Sequence, residues 1–308
     1  METVIVVILA LLLDNFLGEA KRWHPLVGFG RLAGAVEQAL YGPDQVSALS
    51  RRLRGILALT VLLLPLTALC WLVTQQLENA WLVDIIILYL AIGARSLALH
   101  ARQVRDALVQ QKLESARTYT SYLVSRDTEN MSATDMSRAT IESTLENGSD
   151  AIFAPLFWFI IAGAPGVICY RLANTLDAMW GYRTSRYRYF GCAAARLDDT
   201  LNFVPARLTA LTYACVGKFS YALRCWRTQA KHYESPNAGP VMASGAGALA
   251  LQLGGPASYH GQHKNRPLLG FGNTPVVANI NQTLALLQRG MLLWIILMIV
   301  AYGVYSLA

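Results

Sequence analysis

The stretch GILALTVLLLPLTALCWLV, residues 55 to 73, runs for nineteen residues without a charged side chain. An α-helix rises about 1.5 Å per residue, so this stretch is long enough to cross the roughly 30 Å hydrocarbon core of a bilayer. The composition agrees, because 54% of the 308 residues are hydrophobic and 15% are charged, against about 25% charged residues in soluble proteins. The sequence therefore predicts an all-α, polytopic membrane protein. No Ser/Gly/Pro-rich linker divides it, so residues 1–308 are expected to form a single membrane-embedded domain.

Three more apolar stretches extend this prediction: residues 3–17, 81–99 and 290–307. The first has no Lys or Arg before it and no small-residue cleavage site after it. We interpret it as an uncleaved span rather than a signal peptide. Together with residues 55–73, these stretches predict about four transmembrane helices.

Two further apolar stretches, residues 151–170 and 203–216, are interrupted. The first contains two prolines and two glycines, and the second contains Pro205 and Arg207. Breaks in a helix at membrane depth are tolerated where protein covers the backbone. We therefore expect buried or re-entrant helices in a cytoplasmic-side helical region, with a pair of true crossings as the alternative.

The basic residues orient the spans. The loop between the first two spans carries six of them: Lys21, Arg22, Arg31, Arg51, Arg52 and Arg54. Residues 74–80, after the second span, carry none. The positive-inside rule then places the N-terminus outside and residues 100–289 in the cytoplasm. The net charge of +7 is dispersed, which favours anionic small molecules as partners and excludes the basic stripe of a nucleic-acid-binding protein.

The stretch TIESTLENGSDAIFAPLFWFI, residues 140–160, places Glu142, Glu146 and Asp150 at four-residue spacing directly before apolar sequence. Like charges at this spacing destabilise a helix, and an apolar surrounding strengthens the repulsion. We therefore expect cations between the carboxylates, either Mg²⁺ or arginines from elsewhere in the chain. Asn147 offers an amide to orient Glu146. The alternative is a solvated acidic face.

Four other segments carry similar polar groups. They are VSRDT with Arg126 and Asp127, RLANTLDAMWGYR with Asn174, Asp177 and Arg183, ARLDDTLNFVPARL with Arg196, Asp198, Asp199, Asn202 and Arg207, and SPNAGP with Ser235, Asn237 and Gly239. Carboxylates beside Asn at helical spacing suit Mg²⁺, and arginines suit phosphates and carboxylates. The SPNAGP loop is expected to present backbone N–H groups to an anion. Each segment alone is also compatible with ordinary ion pairs.

Several of these segments are similar to motifs of one known family. SRDT, ESTLENGSDAIFAPLFW, GAPGVICYRLANTLDAMWGYR, YRYFGCAAARLDDTLNFVPARLTAL and SPNAG resemble successive motifs of the CobD/CbiB family, the membrane-bound adenosylcobinamide-phosphate synthases of cobalamin biosynthesis. The opening LLLDNFLGEAKRWHPLVGFGRL also resembles this family, so the likeness spans nearly the whole chain.

The resemblance implies a reaction and its partners. The family joins adenosylcobyric acid to (R)-1-amino-2-propanol or its O-phosphate through an amide bond, with ATP as co-substrate and Mg²⁺. A multi-pass protein of the cell inner membrane with a site facing the cytoplasm is implied. A homo-oligomer or an association with other membrane proteins of the cobalamin pathway is compatible with this picture.

Amide formation by way of an acyl phosphate assigns expected roles to the polar residues. We expect a catalytic set of Glu142, Glu146, Asp150, Asp177 and Asp198, of which Glu146, Asp150, Asp177 and Asp198 hold the metal. Substrate contacts are expected from Arg126, Asp127, Asn147, Asn174, Arg183, Arg196, Asp199, Asn202, Arg207, Ser235, Asn237 and Gly239. The sequence contains no GxxxxGK[ST], GxGxxG or HExxH motif that would indicate another chemistry. A membrane transporter for a corrinoid or other anionic small molecule and a non-catalytic membrane sensor remain as alternatives.

Overall fold

The computed structural model describes residues 1–19, 24–43, 45–182, 184–259 and 261–307. Two compact units are present: Met1–Gly93 with Ala154–Asn202, and Ala94–Phe153 with Phe203–Ala308. Because the chain passes between the units three times, no linker separates them in the sequence. The grouping of residues 1–308 as a single domain stays a prediction.

The described residues are mostly helical. In chain order the helices are α1 (Glu2–Leu17), α2 (Pro25–Tyr41), α3 (Ala48–Gln76), α4 (Ala80–Ala91), α5 (Ala94–Val109), α6 (Leu113–Ser121), α7 (Ala133–Gly148), a π-helical turn (Ser149–Phe153), α8 (Ala154–Trp180), α9 (Tyr187–Phe190), α10 (Cys192–Val216), α11 (Phe219–Gln229), a 3-10 turn (Ala230–His232), α12 (Ala238–Leu249) and α13 (Ala278–Leu307). Short strands lie between α12 and α13: β1 (Leu253–Gly254), β2 (Ala257–Tyr259), β3 (Gln262–Lys264) and β4 (Leu268–Leu269). They form two antiparallel pairs, β1 with β4 and β2 with β3.

The expected number of membrane spans is confirmed, but the set differs. By length and composition, four helical segments of the described chain could cross a membrane: Ala48–Gln76, Ala80–Val109, Ala133–Trp180 and Ala278–Ser306. The predicted first span forms α1, whose 16 residues fall short of the roughly 20 that a crossing needs. It is therefore not one of the four. The expected span at residues 81–99 is covered by α4 and α5, with a break between Ala91 and Ala94.

The apolar stretch 151–170 forms a broken helix. Within α8, Ala162 and Gly163 depart from helical geometry, and Gly163 has φ +60°, which a residue without a Cβ adopts at little cost. Half of the most apolar window in Ala133–Trp180 is buried, against 22 to 28% in the other three segments. Both features favour the buried or re-entrant helix expected from the sequence, and the number of crossings here stays a prediction.

The first unit packs α2, α3, α8 and α9 around one apolar cluster. Leu62 of α3, Trp180 of α8 and Phe190 of α9 are almost fully buried in it. Gly55 lets α3 approach α9 closely, because a Cβ at this position would overlap the carbonyl oxygen of Phe190. Gly55 therefore allows the short distance between α3 and α9.

In the second unit, α7 packs against α5, α12 and α13. Ile141 and Leu145 of α7 are fully buried. Strand β1 also contacts α7. The backbone N–H of Gly254 on this strand donates a hydrogen bond to Glu142 on that helix. Thus α7 carries core residues together with Glu142 and Glu146.

Candidate functional site

The carboxylate of Glu142 is the centre of a buried polar cluster in the second unit. Its side chain is 1% exposed. It forms an ion pair with Arg126 and a second with Arg266, whose Nη1 lies 3.0 Å from Oε2. The N–H of Gly254 donates to Oε1 at 2.6 Å. Both carboxylate oxygens are therefore bound by protein groups.

This geometry rules out the alternative of a solvated acidic face at Glu142. Glu142 does not face solvent, and two guanidinium groups and a backbone N–H already neutralise it. Of the two expected sources of positive charge, arginines lie at this position. Arg266 was missed by sequence reasoning, because it lies 124 residues from Glu142 in a segment without helical periodicity.

Glu146 lies one helical turn beyond Glu142 and within electrostatic reach of Glu142, Arg126 and Arg266. Tyr233 is nearby, and burial together with the charge of Glu146 raises the pKa of its hydroxyl above the ordinary value. The expected role of Asn147 in orienting Glu146 is wrong. Asn147 is exposed, and its amide nitrogen donates to the carbonyl oxygen of Ser143 at 2.9 Å instead.

Asp150 has different surroundings, because the helix changes to a π-helical turn at Ser149–Phe153. There the hydroxyl of the buried Tyr213 donates to the carbonyl oxygen of Leu145 at 2.9 Å. The charge of Asp150 acts on Tyr213. Short π-helical turns occur often at functional sites, so this turn is compatible with a role for Asp150.

A polar cleft of about 470 Å³ opens beside the Glu142 cluster. Arg126, Arg138 and Arg266 line it, together with Asp127 and Ser258. Asp127 fixes one wall, because its N–H donates to the carbonyl oxygen of Ser258 at 3.0 Å and its carboxylate accepts from the N–H of Gly261 at 2.8 Å. Arg126 and Arg266 pair with Glu142, and Arg138 pairs with Asp135. The N–H donors that these pairs leave over could bind an anion.

The SPNAGP segment does not form the expected anion cradle. The Ser235 hydroxyl accepts from the N–H groups of Asn237, at 3.3 Å, and Ala238, at 3.1 Å. The Ser235 carbonyl oxygen accepts from Gly239 at 3.2 Å. These N–H groups are therefore used within the turn that starts α12.

Arg207 is held against the SPNAGP segment. It donates to the side chain of Asn237 at 2.9 Å and to the carbonyl oxygen of Pro236 at 3.1 Å. It also stacks on Phe203, with its guanidinium carbon 3.5 Å from the ring centroid. A second cleft of about 400 Å³ is lined by Arg207, Tyr233 and Lys231 among others. Arg207 thus remains a candidate for anion contact.

The first unit contains a separate polar cluster around Asp198. The amides of Asn174 and Asn202 each donate to its Oδ1 at 3.1 Å. Tyr170, fully buried and not foreseen from the sequence, donates to the side-chain Oδ1 of Asn202 at 3.1 Å. Burial raises the pKa of Asp198 above its ordinary value, against the effect of the two amides. Asp198 and Asn202 are four residues apart on α10, so their contact follows from helical spacing.

The charges around Asp198 differ from those expected. Asp198 and Asp199 both lie within electrostatic reach of Asp177. The neighbouring cation is Arg171, whose Nη1 lies 3.4 Å from Oδ1 of Asn174, whereas Arg196 is exposed. Arg183 lies outside the described residues.

The carboxylates of the described residues could supply only part of the ligands of a Mg²⁺ ion. Within the described residues, no group of three or more His, Cys, Asp or Glu side chains is placed to hold a metal ion. Mg²⁺ usually needs only one or two protein carboxylates when substrate phosphates supply other ligands. Asp198 with Asp177 or Asp199 meets that need, whereas the carboxylate of Glu142 is already occupied by arginines.

Comparison with known proteins agrees with the motifs. The family model described as CobD/Cbib protein matches residues 7–287. A Chromobacterium violaceum protein named cobalamin biosynthesis protein CobD is 56% identical over 95% of both chains. The Stutzerimonas stutzeri protein of that name is 52% identical over 99% of this chain and 100% of the relative. The Mycobacterium tuberculosis one is 40% identical over 91% and 90%.

No solved structure matches the chain. The family model nevertheless covers most of the sequence, including the acidic stretch of α7 and the Asp198 segment. The relatives align over almost their full lengths. On these grounds the chain belongs to the CobD/Cbib family.

Proposed function

We propose that this protein acts in cobalamin biosynthesis, where it joins adenosylcobyric acid to (R)-1-amino-2-propanol or its O-phosphate in an ATP-dependent amide ligation. Family membership and the names of the relatives support a role in cobalamin biosynthesis. The observation that carries the chemical proposal is the pair Arg126 and Arg266, held together on the buried carboxylate of Glu142 beside Glu146. A ligase that uses ATP must bind phosphate and carboxylate groups, and this cluster offers fixed guanidinium groups for them.

The reaction can be written as two balanced steps. An oxygen of the corrinoid carboxylate attacks the γ-phosphorus of ATP, and ADP leaves. The amine nitrogen then attacks the acyl carbon, the acyl–oxygen bond breaks, and inorganic phosphate leaves with that oxygen. The ammonium must lose its protons before or during the second step. Anion binding and a base are thus the two demands on the protein.

Arg126 is the better placed of the two arginines for substrate contact. A guanidinium group has five N–H donors. Arg266 uses several of them on Glu142 and on the carbonyl oxygen of Gly255, whereas Arg126 makes a single hydrogen bond to Glu142 and lines the polar cleft. We assign Arg126 to the phosphate or carboxylate of a substrate, and Arg266 to holding Glu142 and Arg126 in place.

Glu146 is assigned as the base that accepts a proton from the ammonium group. It is next to Glu142 on α7, but Glu142 is bound by two arginines and cannot serve this role. Glu146 lies within electrostatic reach of Arg126 and Arg266, the two arginines assigned above to binding and positioning the anionic part of the substrate. The phosphate of an aminopropanol phosphate and its ammonium group would then be bound by neighbouring residues.

The Asp198 cluster is assigned to Mg²⁺ that arrives with ATP. Asp198 with Asp177 or Asp199 would supply carboxylate ligands, and Asn174 and Asn202 orient the Asp198 carboxylate. When bound, the ion would neutralise the phosphate oxygens of the nucleotide. A site facing the cytoplasm of an inner membrane would have access to ATP, in line with the positive-inside orientation.

The proposal is tested with purified full-length protein, adenosylcobyric acid, ATP and Mg²⁺, offering each form of the amine separately. We expect mass spectrometry to show the amide product with one form, together with one ADP and one phosphate per product. Absence of product with both forms would overturn the proposal. Uptake of the corrinoid by proteoliposomes without product would favour the transporter, and binding without uptake or product would favour the sensor.

A further inference from the structure

An apolar groove of about 540 Å³ lies in the first unit, among helices α2, α3, α4 and α8. Its walls are formed by side chains such as Leu26, Phe29, Leu69, Ile87 and Val167. The volume falls within the roughly 300 to 1,000 Å³ that is usual for small-molecule pockets. The walls offer almost no hydrogen-bonding groups, so they suit a hydrocarbon chain.

Arg171 on α8 is among the residues that line this groove. Its Nε is buried and has no hydrogen-bond partner among the described residues. Its Nη1 makes a long contact of 3.4 Å to Asn174, and its charge acts on Asp198. A desolvated N–H without a partner is unfavourable, and a charge-assisted bond to an anion would remove that cost.

In a bilayer, lipid molecules could reach this groove. Helix α3 and the segment containing α4 are two of the four segments that could cross a membrane. Leu69 on α3 and Leu32 on α2 line the groove and are about half exposed. In a bilayer, such side chains contact acyl chains.

We propose that this groove binds an anionic phospholipid, with an acyl chain along its apolar walls and the phosphate group at Arg171. Apolar walls, a guanidinium group with an unused donor, and walls from two segments that could cross a membrane together fit this occupant. A corrinoid fits poorly, because its many amide groups would find few partners on these walls.

The test uses native mass spectrometry of the full-length protein in detergent, titrated with phosphatidylglycerol or with diacylglycerol, which has the same acyl chains and no phosphate. We expect phosphatidylglycerol to bind about tenfold more tightly, as one charge-assisted contact would give. The Arg171→Gln variant should lose this preference. Arg188→Gln is the matched control, since Arg188 is an exposed arginine of the same unit, and it should keep the preference.

A second variant tests the groove itself. Gly28 lines it, and a Cβ added at Gly28 would meet no described atom within 4 Å. Gly28→Leu should therefore fill the groove without disturbing α2, and should weaken the binding of both lipids while leaving Tm unchanged. Because this variant and the wild-type lipid comparison do not depend on Arg171, they keep the test valid if Arg171→Gln unfolds.

Three results would overturn the proposal. One is equal binding of the two lipids to the wild-type protein. Another is unchanged binding in Gly28→Leu. The third is displacement of the lipid by adenosylcobyric acid in equimolar competition, which would make the groove part of a substrate site.

Discussion

At the scale of single residues, Glu142 and Glu146 differ more than their spacing suggests. They are one turn apart on α7 and share the same pair of arginines. Glu142 is fully engaged by Arg126, Arg266 and the N–H of Gly254, while Glu146 lacks this set of bonds. The first therefore organises the cluster, and the second is available for chemistry.

Replacing Glu142 by Gln should destabilise the protein. The substitution leaves two largely buried guanidinium groups without their carboxylate, and breaking a buried ion pair in this way commonly costs about 3 to 5 kcal/mol. We expect a clear fall in Tm, measured by thermal unfolding in detergent. A Tm equal to that of the wild type would show that solvent or another anion neutralises the arginines.

Replacing Glu146 by Gln should spare the fold and reduce the rate. The change removes a negative charge next to Glu142, so repulsion along α7 falls slightly. Loss of a general base lowers turnover by roughly 10²-fold or more. Initial rates of amide formation, with Tm measured on the same preparation, check both parts. Full activity in this variant would remove Glu146 from the catalytic role.

At the scale of elements, close packing of small residues positions the helices. In the first unit, Gly55 of α3 lies against the backbone of Phe190 in α9. In the second unit, Gly148 at the end of α7 leaves room for the Tyr213 hydroxyl, which lies 2.7 Å from where its Cβ would be. The π-helical turn that follows therefore depends on the packing of α7 against α10.

The variant Gly55→Ala should be strongly destabilising, because the new Cβ would overlap a backbone carbonyl oxygen that cannot rotate away. We expect a loss of more than about 2 kcal/mol, as for other overpacked positions. Gly34→Ala is the matched control. It is also inside a helix, its Cβ would meet no described atom within 4 Å, and the gain in helix propensity should stabilise it by about 0.5 to 1 kcal/mol. Similar unfolding of both variants would contradict the packing described here.

At the scale of the whole molecule, the orientation in the membrane decides which face meets ATP. The basic residues ahead of the apolar stretch of α3 and the absence of basic residues at 74–80 predict that Leu77 lies outside and Asn130 in the cytoplasm. Both residues are exposed.

This orientation can be checked by labelling intact cells with a membrane-impermeant thiol reagent. In a background without the native cysteines, Leu77→Cys should react from outside and Asn130→Cys should react only after permeabilisation. The opposite pattern would reverse the orientation, and would place the Glu142 cluster away from cytoplasmic ATP.

The sequence by itself determined the features that depend on local periodicity and composition. The all-α membrane class, the number of candidate spans and the broken helix at Gly163 follow from apolar run length and from Pro and Gly positions. The Asp198–Asn202 pair follows from helical spacing. The need for cations beside Glu142 follows from like-charge repulsion.

The tertiary structure alone decided which groups meet across long sequence separations. Arg266 reaches Glu142 from 124 residues away, and Asn174 reaches Asp198 from another helix. It also decided that Ser235 binds the N–H groups that were expected to hold an anion, and that α1 ends after 16 residues. Contacts of this kind depend on how helices pack and where they end, and neither is encoded in the spacing of any one segment.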